Sequence, residues 1–454
     1  MRRLASTAPW WAEAAPKPPQ KAKKPKIEIP AYHLTPSVTD PETGEIVWPA
    51  PRDQISRARD FIQECVAAQQ PTLIVPDKDA DGLSSGAILR RTLILLGLDP
   101  ALISAHLLQK GNDVHAADER AAMATHKPAY IFVLDQGSQR SPPIIDAPHK
   151  ALLIDHHWAR DDTDFPEGAL HVSSCRCPPV ATSALLTYTI CAPLHPDVPK
   201  TCAWLCVLGT HGDLGTSIKW DPPFPDMKDT FKIYTKTTIN KAVALVNAPR
   251  RTPAYNVPEA WAALIAANSP GDLLVNNDLL VARAVAGAEL KRWSHERPRF
   301  SRDGRFAVFR INSPAQIHNV ISTRWAAFLT SPRLEVILVA NEGYLPGKVN
   351  FSCRVPQNVR ARDPPIDIIA ILMDLVDRAK NPTLKERLGE SFARGHKQAS
   401  GGIVPKAEFE ELMEIIGFWK AVEKTEATAE TTTESVVPEP PNTIMNNFEK
   451  QPTG

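Results

Sequence analysis

Three aspartates are crowded into one short segment that directly follows an apolar run. Asp77, Asp79 and Asp81 lie within five residues, immediately after residues 73–76. In an extended turn, residues two apart point the same way, so the three carboxylates repel one another unless cations neutralise them. A solvated acidic turn, or a helix cap before Ser84, is the alternative for this segment taken alone. The crowding indicates a cation-binding segment.

A further aspartate and a histidine pair follow two later apolar runs. Asp135 comes directly after residues 130–134, and Asp155, His156 and His157 follow the next run along the chain. Neutral imidazole is a good ligand for Mn²⁺ or Zn²⁺, and a neighbouring carboxylate can orient it. The alternatives here are a turn-forming aspartate and a pair of core histidines.

The fourth segment, residues 209–215, carries Asp213 among three glycines at the end of a predicted helix. Glycine lets the backbone approach a site closely, although an ordinary glycine-bounded helix end has the same composition. Four acidic or imidazole clusters thus recur in chain order at the ends of predicted elements. Their recurrence favours one shared site over four unrelated clusters.

The elements that must position these side chains alternate between strand and helix over residues 54–215. The predicted strands are residues 73–76, 129–134 and 151–154, and the predicted helices are residues 84–98, 182–191 and 201–210. Such alternation indicates a parallel sheet covered on both faces. In open parallel sheets, ligands bind at the edge formed by the carboxyl ends of the strands.

A smaller α/β unit is predicted over residues 305–417, so the fold class is α/β with two sheet-containing domains. Its predicted strands are residues 306–311, 334–340 and 349–354, and its predicted helices are residues 317–329, 366–379 and 407–416. Residues 216–304 form a mostly helical connector. Residues 1–30, rich in Pro, Ala and Lys, and residues 423–454, rich in Thr, Glu, Pro and Asn, predict two disordered tails.

Composition limits the classes of function. The 454 residues carry a formal net charge of +1, so any site for a polyanion must be local. The sequence contains no apolar run of about 18 residues, and we expect no membrane partner. Seven cysteines without zinc-finger spacing suggest reduced structural thiols in an intracellular protein. The choice among cytosol, nucleus and mitochondrion, and the oligomeric state, stay open.

The chemically interesting segments also resemble the motifs of a known family. The family is that of the DHH phosphoesterases. Its four motifs are similar to residues 79–82, Asp135, residues 155–157 and residues 209–213 of this chain. Residues 394–402 look like the glycine–histidine motif of the DHHA1 domain, and residues 347–354 look like the strand before it. The overall plan is similar to that of RecJ-type single-strand exonucleases and their oligonucleotide-degrading relatives.

The resemblance implies a centre with two divalent cations, Mn²⁺ or else Mg²⁺, which oxygen-rich ligands with imidazole also suit. The implied metal ligands are Asp79, Asp81, Asp135, His156 and Asp213. Asp135 would bridge the two ions. His157 would contact the substrate phosphate or a metal, with His157 and Asp155 as the catalytic pair. Asp77 and Asp155 would be ligands or would orient ligands.

The resemblance also implies a substrate-binding group, made up of Arg251, Arg354, His396, Gly401 and Gly402. Four positions depart from the family pattern. Arg250 stands where the Asn-Ala-x-Gly-Arg segment has glycine, and Lys78 lies among the carboxylates. Arg394 replaces the first glycine of the usual Gly-Gly-His, and Gln136 follows Asp135 where a small polar residue is common. None of the four removes an implied ligand.

The implied function is two-metal phosphoester hydrolysis, in which paired cations neutralise the phosphate oxygens and activate water. A nuclease acting on single-stranded nucleic acid or short oligonucleotides is the first hypothesis. The alternative is a small-molecule phosphatase acting on polyphosphate, pyrophosphate or a nucleotide bisphosphate, for which the low net charge is also suitable. A non-catalytic binding protein that retains the fold is the third.

Overall fold

The computed structural model describes residues 36–41, 43–389 and 391–418. The two predicted tails, residues 1–30 and 423–454, lie outside the described residues. None of the described helices combines the length and the apolar character that a membrane span requires.

The first sheet has five strands, all parallel, in the order β2-β1-β3-β4-β5. The strands are β1 (Thr72–Pro76), β2 (Ile103–Ala105), β3 (Tyr130–Leu134), β4 (Lys150–Asp155) and β5 (Leu170–Ser173). Every residue of β1 and β3 is buried. Parallel strands covered on both faces need apolar side chains in both directions, and for this reason these two strands read as continuous apolar runs.

Helices cover both faces of this sheet. They are α1 (Arg52–Ala68), α2 (Ala80–Leu95), α3 (Ala117–Thr125), α4 (Ser183–Cys191) and α5 (Val198–Leu214). Ile74 belongs to a core shared with α1, α2, α4 and α5, whereas its neighbours Leu73 and Val75 belong to a second core that includes Met123 of α3. The alternation of side chains along a strand therefore supplies two separate apolar layers.

The strand order creates a reversal point between β1 and β3. The chain passes from β1 to β2 on one side and then returns to β3 on the other side of β1. In open parallel sheets, the crevice outside the strand ends at such a point is where ligands bind. Asp77 directly follows β1 and Asp135 directly follows β3, so both lie at this crevice.

Five further helices follow the first sheet: α6 (Lys228–Ile233), α7 (Lys236–Val246), α8 (Val257–Ala266), α9 (Pro270–Leu274) and α10 (Asn277–Trp293). A 3-10 turn, Pro249–Arg251, joins α7 to the segment before α8. Leu245 and Leu264 are fully or almost fully buried in the same core as Ile74. The helical connector predicted between the domains thus packs on one face of the first sheet.

The second sheet is mixed, with the order β10-β11-β9-β8-β7-β6. Its strands are β6 (Arg299–Phe300), β7 (Phe306–Ile311), β8 (Val336–Asn341), β9 (Lys348–Arg354), β10 (Arg394–His396) and β11 (Ala399–Pro405). Its helices are α11 (His318–Phe328), α12 (Ile368–Asp377), α13 (Leu384–Leu388) and α14 (Lys406–Ile416). Among these described strands, only β7 and β8 pair in parallel. The predicted α/β fold class with two sheets is confirmed.

The three helices α2, α4 and α5 approach each other most closely at one glycine. A Cβ atom placed on Gly209 would lie 2.4 Å from Cβ of Ala184, 2.9 Å from Oδ1 of Asp81 and 3.1 Å from Cβ of Ser84. Real side chains do not pack at the first of these distances. Only glycine therefore allows α5 to lie this close to the other two helices.

We expect Gly209→Ala to lower the free energy of unfolding by about 1–3 kcal/mol, because the added methyl group must force the helices apart. The matched control is Gly287→Ala on α10, where an added Cβ meets nothing within 4 Å. There alanine should raise the free energy of unfolding by about 0.5–1 kcal/mol through its better helix propensity. Urea denaturation measures both values, and changes of the same sign would contradict this packing argument.

Candidate metal centre

The acidic segment forms a tight loop between β1 and α2. Asp79 caps the helix, because its carboxylate accepts hydrogen bonds from the backbone N–H groups of Asp81 at 3.0 Å and Gly82 at 3.3 Å. A Cβ atom on Gly82 would lie 2.6 Å from the carbonyl oxygen of Asp77. The loop is therefore tightly closed. Asp79 is both the cap of the helix and a member of the acidic cluster.

Asp81 is held by the start of another helix. Its two carboxylate oxygens accept backbone hydrogen bonds from Ser183 at 2.8 Å and Ala184 at 3.0 Å, the first residues of α4. The N-terminus of a helix carries partial positive charge and unpaired N–H groups, so it stabilises a buried anion. These bonds account for a carboxylate that is only 1% exposed.

Asp135 occupies a special backbone position after β3. Its φ is 64°, in the left-handed region where Asp and Asn are enriched among non-glycine residues. The hydroxyl of Ser183 donates a hydrogen bond of 2.9 Å to its Oδ1. The same oxygen lies 3.2 Å from Nε2 of His156. The turn that follows the strand therefore aims this carboxylate into the crevice.

His156 joins two segments that are far apart in the sequence. It follows β4, and its Nε2 lies 3.2 Å from Oδ1 of Asp135 and 3.4 Å from Oδ2 of Asp213. Burial lowers the pKa of His156, but the nearby carboxylates of Asp213 and Asp81 outweigh burial and raise it above its ordinary value. One imidazole nitrogen thus faces carboxylates from β3 and from the end of α5.

Asp155 lies behind the second histidine of the pair. Its carboxylate accepts a hydrogen bond of 2.8 Å from Nδ1 of His157 and one of 2.6 Å from the hydroxyl of Ser138. Burial lowers the pKa of His157, yet the Asp155 carboxylate overcomes this and raises it to about 9. Asp155 is fully buried, and its hydrogen bond to His157 can orient that imidazole.

The predicted ligands come together in three overlapping sets. Within each set, one ligand atom per residue lies within 4.8 Å of the others. The sets are Asp77, Asp79 and Asp135; Asp81, His156 and Asp213; and Asp135, His156 and His157. Asp135 is shared between sets, as expected of a residue that bridges two ions. Carboxylates with one or two imidazoles fit Mn²⁺ or Mg²⁺, so this donor set suits the cations that the resemblance implies.

The crowding of buried carboxyl groups raises the pKa values of two of them. Burial, with the neighbouring carboxylates of Asp213 and Asp79, raises the pKa of Asp81 to about 7 despite the opposing effect of His156. Burial and the carboxylates of Asp81 and Asp79 likewise raise the pKa of Asp135 well above its ordinary value. Cations among these groups would relieve the repulsion.

Two arginines after α7 lie next to the acidic loop. Nε of Arg251, a predicted substrate-binding residue, is buried and has no hydrogen-bond partner within the described part of the chain. Its neighbour Arg250 has Nη2 at 3.6 Å from Oδ2 of Asp79, and its Nη1 donates to Oε1 of Gln316 at 3.2 Å. The residue that departs from the family pattern therefore contacts both the acidic loop and the second domain.

Arg354 lies at the end of β9, where its guanidinium donates to Oγ1 of Thr323 at 3.3 Å and to the carbonyl of Cys353 at 3.0 Å. Close by is His318, the first residue of α11. Burial, together with Arg354 and Arg250, lowers the pKa of His318 to about 3. Its Nδ1 is buried and has no hydrogen-bond partner among the described residues. Two cationic groups and a neutral imidazole thus lie together where the domains meet.

The other predicted substrate-binding residues lie on the neighbouring hairpin. His396 is on β10, paired with Ala399, and the two glycines are on β11. A Cβ atom on Gly401 would lie 2.4 Å from the carbonyl oxygen of Phe351, and one on Gly402 would lie 2.6 Å from that of Ser391. Close backbone packing alone requires glycine here. The substrate-binding role of these three residues stays a prediction.

Two residues of the site, Ser183 and His318, were not expected from the sequence, and Asn247 was noted only as the first residue of the segment that resembles Asn-Ala-x-Gly-Arg. Oδ1 of Asn247 accepts hydrogen bonds from the backbone of Ala80 at 3.3 Å and from Nε of Arg250 at 3.0 Å, so it connects the acidic loop to the arginines. A signal for Ser183 existed, because it follows a residue type that starts helices. His318 stands inside a predicted helix without any local signal.

Comparisons with known proteins identify the fold. No family model matches the sequence, and no curated protein matches it. Among solved structures, RecJ from Thermus thermophilus in complex with Mn²⁺ matches with a TM-score of 0.57 at 16% identity, over 82% of this chain and 55% of that chain. An exonuclease RecJ bound to manganese matches with a TM-score of 0.54 at 16% identity, over 82% of this chain and 95% of that chain.

A third solved structure agrees with these two. The DHH domain of a protein described as a member of a family of ribosomal proteins matches with a TM-score of 0.58 at 16% identity, over 80% of this chain and 90% of that chain. The chain has the DHH phosphoesterase fold. The resemblance drawn from the motifs is confirmed at the level of the fold, and the chain spans about half of the length of the Thermus RecJ that it matches.

We expect Mn²⁺ to raise the melting temperature more at pH 8 than at pH 6. The pKa of Asp81 rises from 3.8 to about 7 on folding, so the metal-free native state keeps a proton that the unfolded state releases. The metal-free protein therefore loses stability as the pH rises from 3.8 to about 7. An incoming ion must displace the proton at pH 6 but meets an ionised carboxylate at pH 8.

Thermal unfolding with and without Mn²⁺ at the two pH values measures this difference. The matched variant is Asp81→Asn, in which the amide carries no titrating proton. Its metal-free form should show a smaller fall in melting temperature from pH 6 to pH 8, and the remaining fall comes from Asp135 and His157, whose pKa values are also raised. An Mn²⁺ effect in the unaltered protein that is the same at both pH values would contradict the expectation.

Proposed function

We propose that the protein is a metal-dependent phosphoesterase that hydrolyses phosphodiester bonds in single-stranded nucleic acid or short oligonucleotides. The observation that carries this proposal is the gathering of three overlapping donor sets around Asp135, at the crevice of a fold shared with manganese-bound RecJ exonucleases. Four carboxylates that are buried or partly buried together repel one another, and divalent cations among them would relieve that repulsion.

The centre would work through side chains that are already oriented. Divalent ions held there would neutralise the phosphate oxygens and activate the attacking water. The Ser183 hydroxyl fixes the direction of the Asp135 carboxylate, and the backbone of α4 fixes that of Asp81. Ligands held by hydrogen bonds of their own need little rearrangement when the cation arrives.

His157 is placed to act on the phosphate. Asp155 holds its Nδ1 at 2.8 Å and raises its pKa to about 9, so the imidazole carries a proton near neutral pH. This arrangement leaves Nε2 available to donate to a phosphate oxygen or to the leaving oxygen. The half-exposed side chain lies on the open side of the cluster, where substrate would enter.

The proposed substrate class is supported by the cationic group between the domains. Arg251 and Arg354 are partly buried and have no carboxylate partners among the described residues, and the His318 imidazole is neutral beside Arg354. Guanidinium groups without a carboxylate partner favour an anionic ligand such as a phosphate group of a nucleotide. The chain as a whole is nearly neutral, so these local contacts would supply the affinity.

A small-molecule phosphatase is the second candidate function. The formal net charge of +1 supplies no overall excess of positive charge to attract a long strand, and a nearly neutral chain suits polyphosphate, pyrophosphate or a nucleotide bisphosphate equally well. The deciding experiment is a cleavage panel with Mn²⁺. It comprises a labelled single strand, a dinucleotide, adenosine bisphosphate and polyphosphate.

We expect cleavage of the single strand or the dinucleotide, and we expect Asp135→Asn to reduce that rate by more than about 100-fold. Asparagine tolerates the left-handed backbone and can keep the hydrogen bond from Ser183, so the loss reports the charge and not the shape. Asp60→Asn, at an exposed position on α1, is the control and should leave the rate unchanged. Cleavage of polyphosphate alone would favour the second candidate, and full activity of Asp135→Asn would refute the proposed centre.

Arg354→Ala should raise KM for a labelled single strand by about tenfold and flatten its salt dependence, because one phosphate contact is lost. The rate with bis(p-nitrophenyl) phosphate should change little, since this small ester needs only the donor sets around Asp135. Steady-state kinetics at two salt concentrations measures both. Arg378→Ala, at an exposed position of the second domain, is the control. An equal loss on both substrates would show a structural role for Arg354.

A further inference from the structure

Two cationic side chains lie against one half of the acidic cluster. Nζ of Lys78 donates to Oδ1 of Asp77 at 3.0 Å, and Nη2 of Arg250 lies 3.6 Å from Oδ2 of Asp79. Both side chains are largely shielded from solvent, with 27% of Lys78 and 11% of Arg250 exposed. Lys78 is a position at which this chain departs from the DHH motifs, and Arg250 is the departure within the Asn-Ala-x-Gly-Arg segment.

The other half of the cluster has no such partner. Within residues 36–41, 43–389 and 391–418, histidines are the only basic side chains within 4.0 Å of the carboxylate oxygens of Asp81, Asp135 and Asp213. Asp81 is satisfied by backbone N–H groups instead. Backbone dipoles stabilise the carboxylate without adding a full positive charge that would repel an incoming cation.

Charge therefore differs between two of the donor sets. The set formed by Asp77, Asp79 and Asp135 has three carboxylates, two of which face a lysine or an arginine. In the described structure, the set formed by Asp81, His156 and Asp213 has two carboxylates and no lysine or arginine against them. A divalent ion entering the first set must separate existing ion pairs and remain close to two positive charges. An ion entering the second set meets the imidazole of His156, which can give up its proton and become a ligand.

Arg250 is also held in its position. Its Nε donates to Oδ1 of Asn247 at 3.0 Å and its Nη1 donates to Oε1 of Gln316 at 3.2 Å. A guanidinium fixed by two neutral acceptors does not leave when a cation approaches. The Lys78 side chain is flexible and is bonded to the Asp77 carboxylate. Each of the two residues therefore keeps a positive charge beside a carboxylate of the first set.

We propose that Lys78 and Arg250 make the two metal positions unequal. One divalent ion binds tightly to Asp81, His156 and Asp213, while binding of a second ion at Asp77 and Asp79 is weakened by the neighbouring cations. The inference rests on the proposed function in one respect only, namely that the cluster binds divalent ions. It concerns the occupancy of the centre, which can be measured without substrate.

The test is calorimetric titration of the full chain with Mn²⁺, combined with electron paramagnetic resonance of the free ion. We expect two steps, with the second at least about tenfold weaker than the first. Lys78→Met and Arg250→Met remove the charge and keep an unbranched, flexible side chain, and each should strengthen the second step by about tenfold while leaving the first unchanged. Lys78→Arg keeps the charge and should keep the weak second step.

Two further variants complete the test. Asp213→Asn should weaken the first step. Lys110→Met should change neither step, because Nζ of Lys110 bonds to the carbonyl of Pro314 at 2.8 Å and lies over the ring of Tyr344, away from the carboxylates. Circular dichroism establishes that each variant is folded.

The outcomes separate the inference from the proposed function. Two equal steps in the unaltered chain, or a second step that neither Lys78→Met nor Arg250→Met strengthens, would overturn the inference and leave the proposed function intact. Absence of any Mn²⁺ binding would overturn the metal centre on which both depend. A weak second step that becomes about tenfold tighter in the two charge-removing variants, and not in Lys78→Arg, supports the inference.

Discussion

The hydrogen bonds between the Asp81 carboxylate and the start of α4 are the contact on which the catalytic domain depends most. They place an ionisable group in the interior between α2, α4 and α5, where Gly209 makes room for it. Removal of the carboxylate would leave two backbone N–H groups without partners, and each would then cost free energy. The Asp81 carboxylate therefore belongs both to the packing of the three helices and to the donor set for a cation.

The two domains contribute opposite charges. The first sheet delivers its carboxylates and imidazoles from turns after parallel strands, where they converge on one crevice. The second sheet delivers Arg354, and α11 delivers His318, whose ring nitrogen has no partner among the described residues. Arg250 lies between the two groups, bonded to Gln316 on one side and close to Asp79 on the other. This division suits an anion that is held from one side and attacked from the other.

Much of the fold could be predicted because its central strands are buried on both faces. β1, β3 and β4 begin and end within one residue of their predicted bounds, since an unbroken apolar run has no other place in a soluble domain. The start of α2 was placed four residues late, at Ser84, because Asp79 was considered mainly as a ligand although it also caps the helix. β6 and β10 were missed because strands of two or three residues leave no periodicity to read.

The candidate site was predictable to the extent that it lies at strand ends. The residues after β1, β3 and β4 meet because parallel strands end at the same edge, and the structure brings Asp79, Asp135 and His156 together as expected. Contacts between segments far apart in the sequence, away from the strand ends, had no such rule. The approach of Arg250 to Asp79, and of His318 to Arg354, depends on how the connector packs on the first domain and how α11 packs on β9, which no local pattern records.

The all-parallel first sheet has a consequence for how the protein reaches this structure. Each neighbouring pair of strands is joined by a crossover, so few contacts form early between residues close in sequence, and folding of such topologies is slow. The donor atoms come from segments between residues 77 and 213, and the cluster exists only once the whole domain is assembled. A cation therefore cannot guide the early collapse of the chain. A cation bound to the folded domain would slow unfolding without raising the rate of folding.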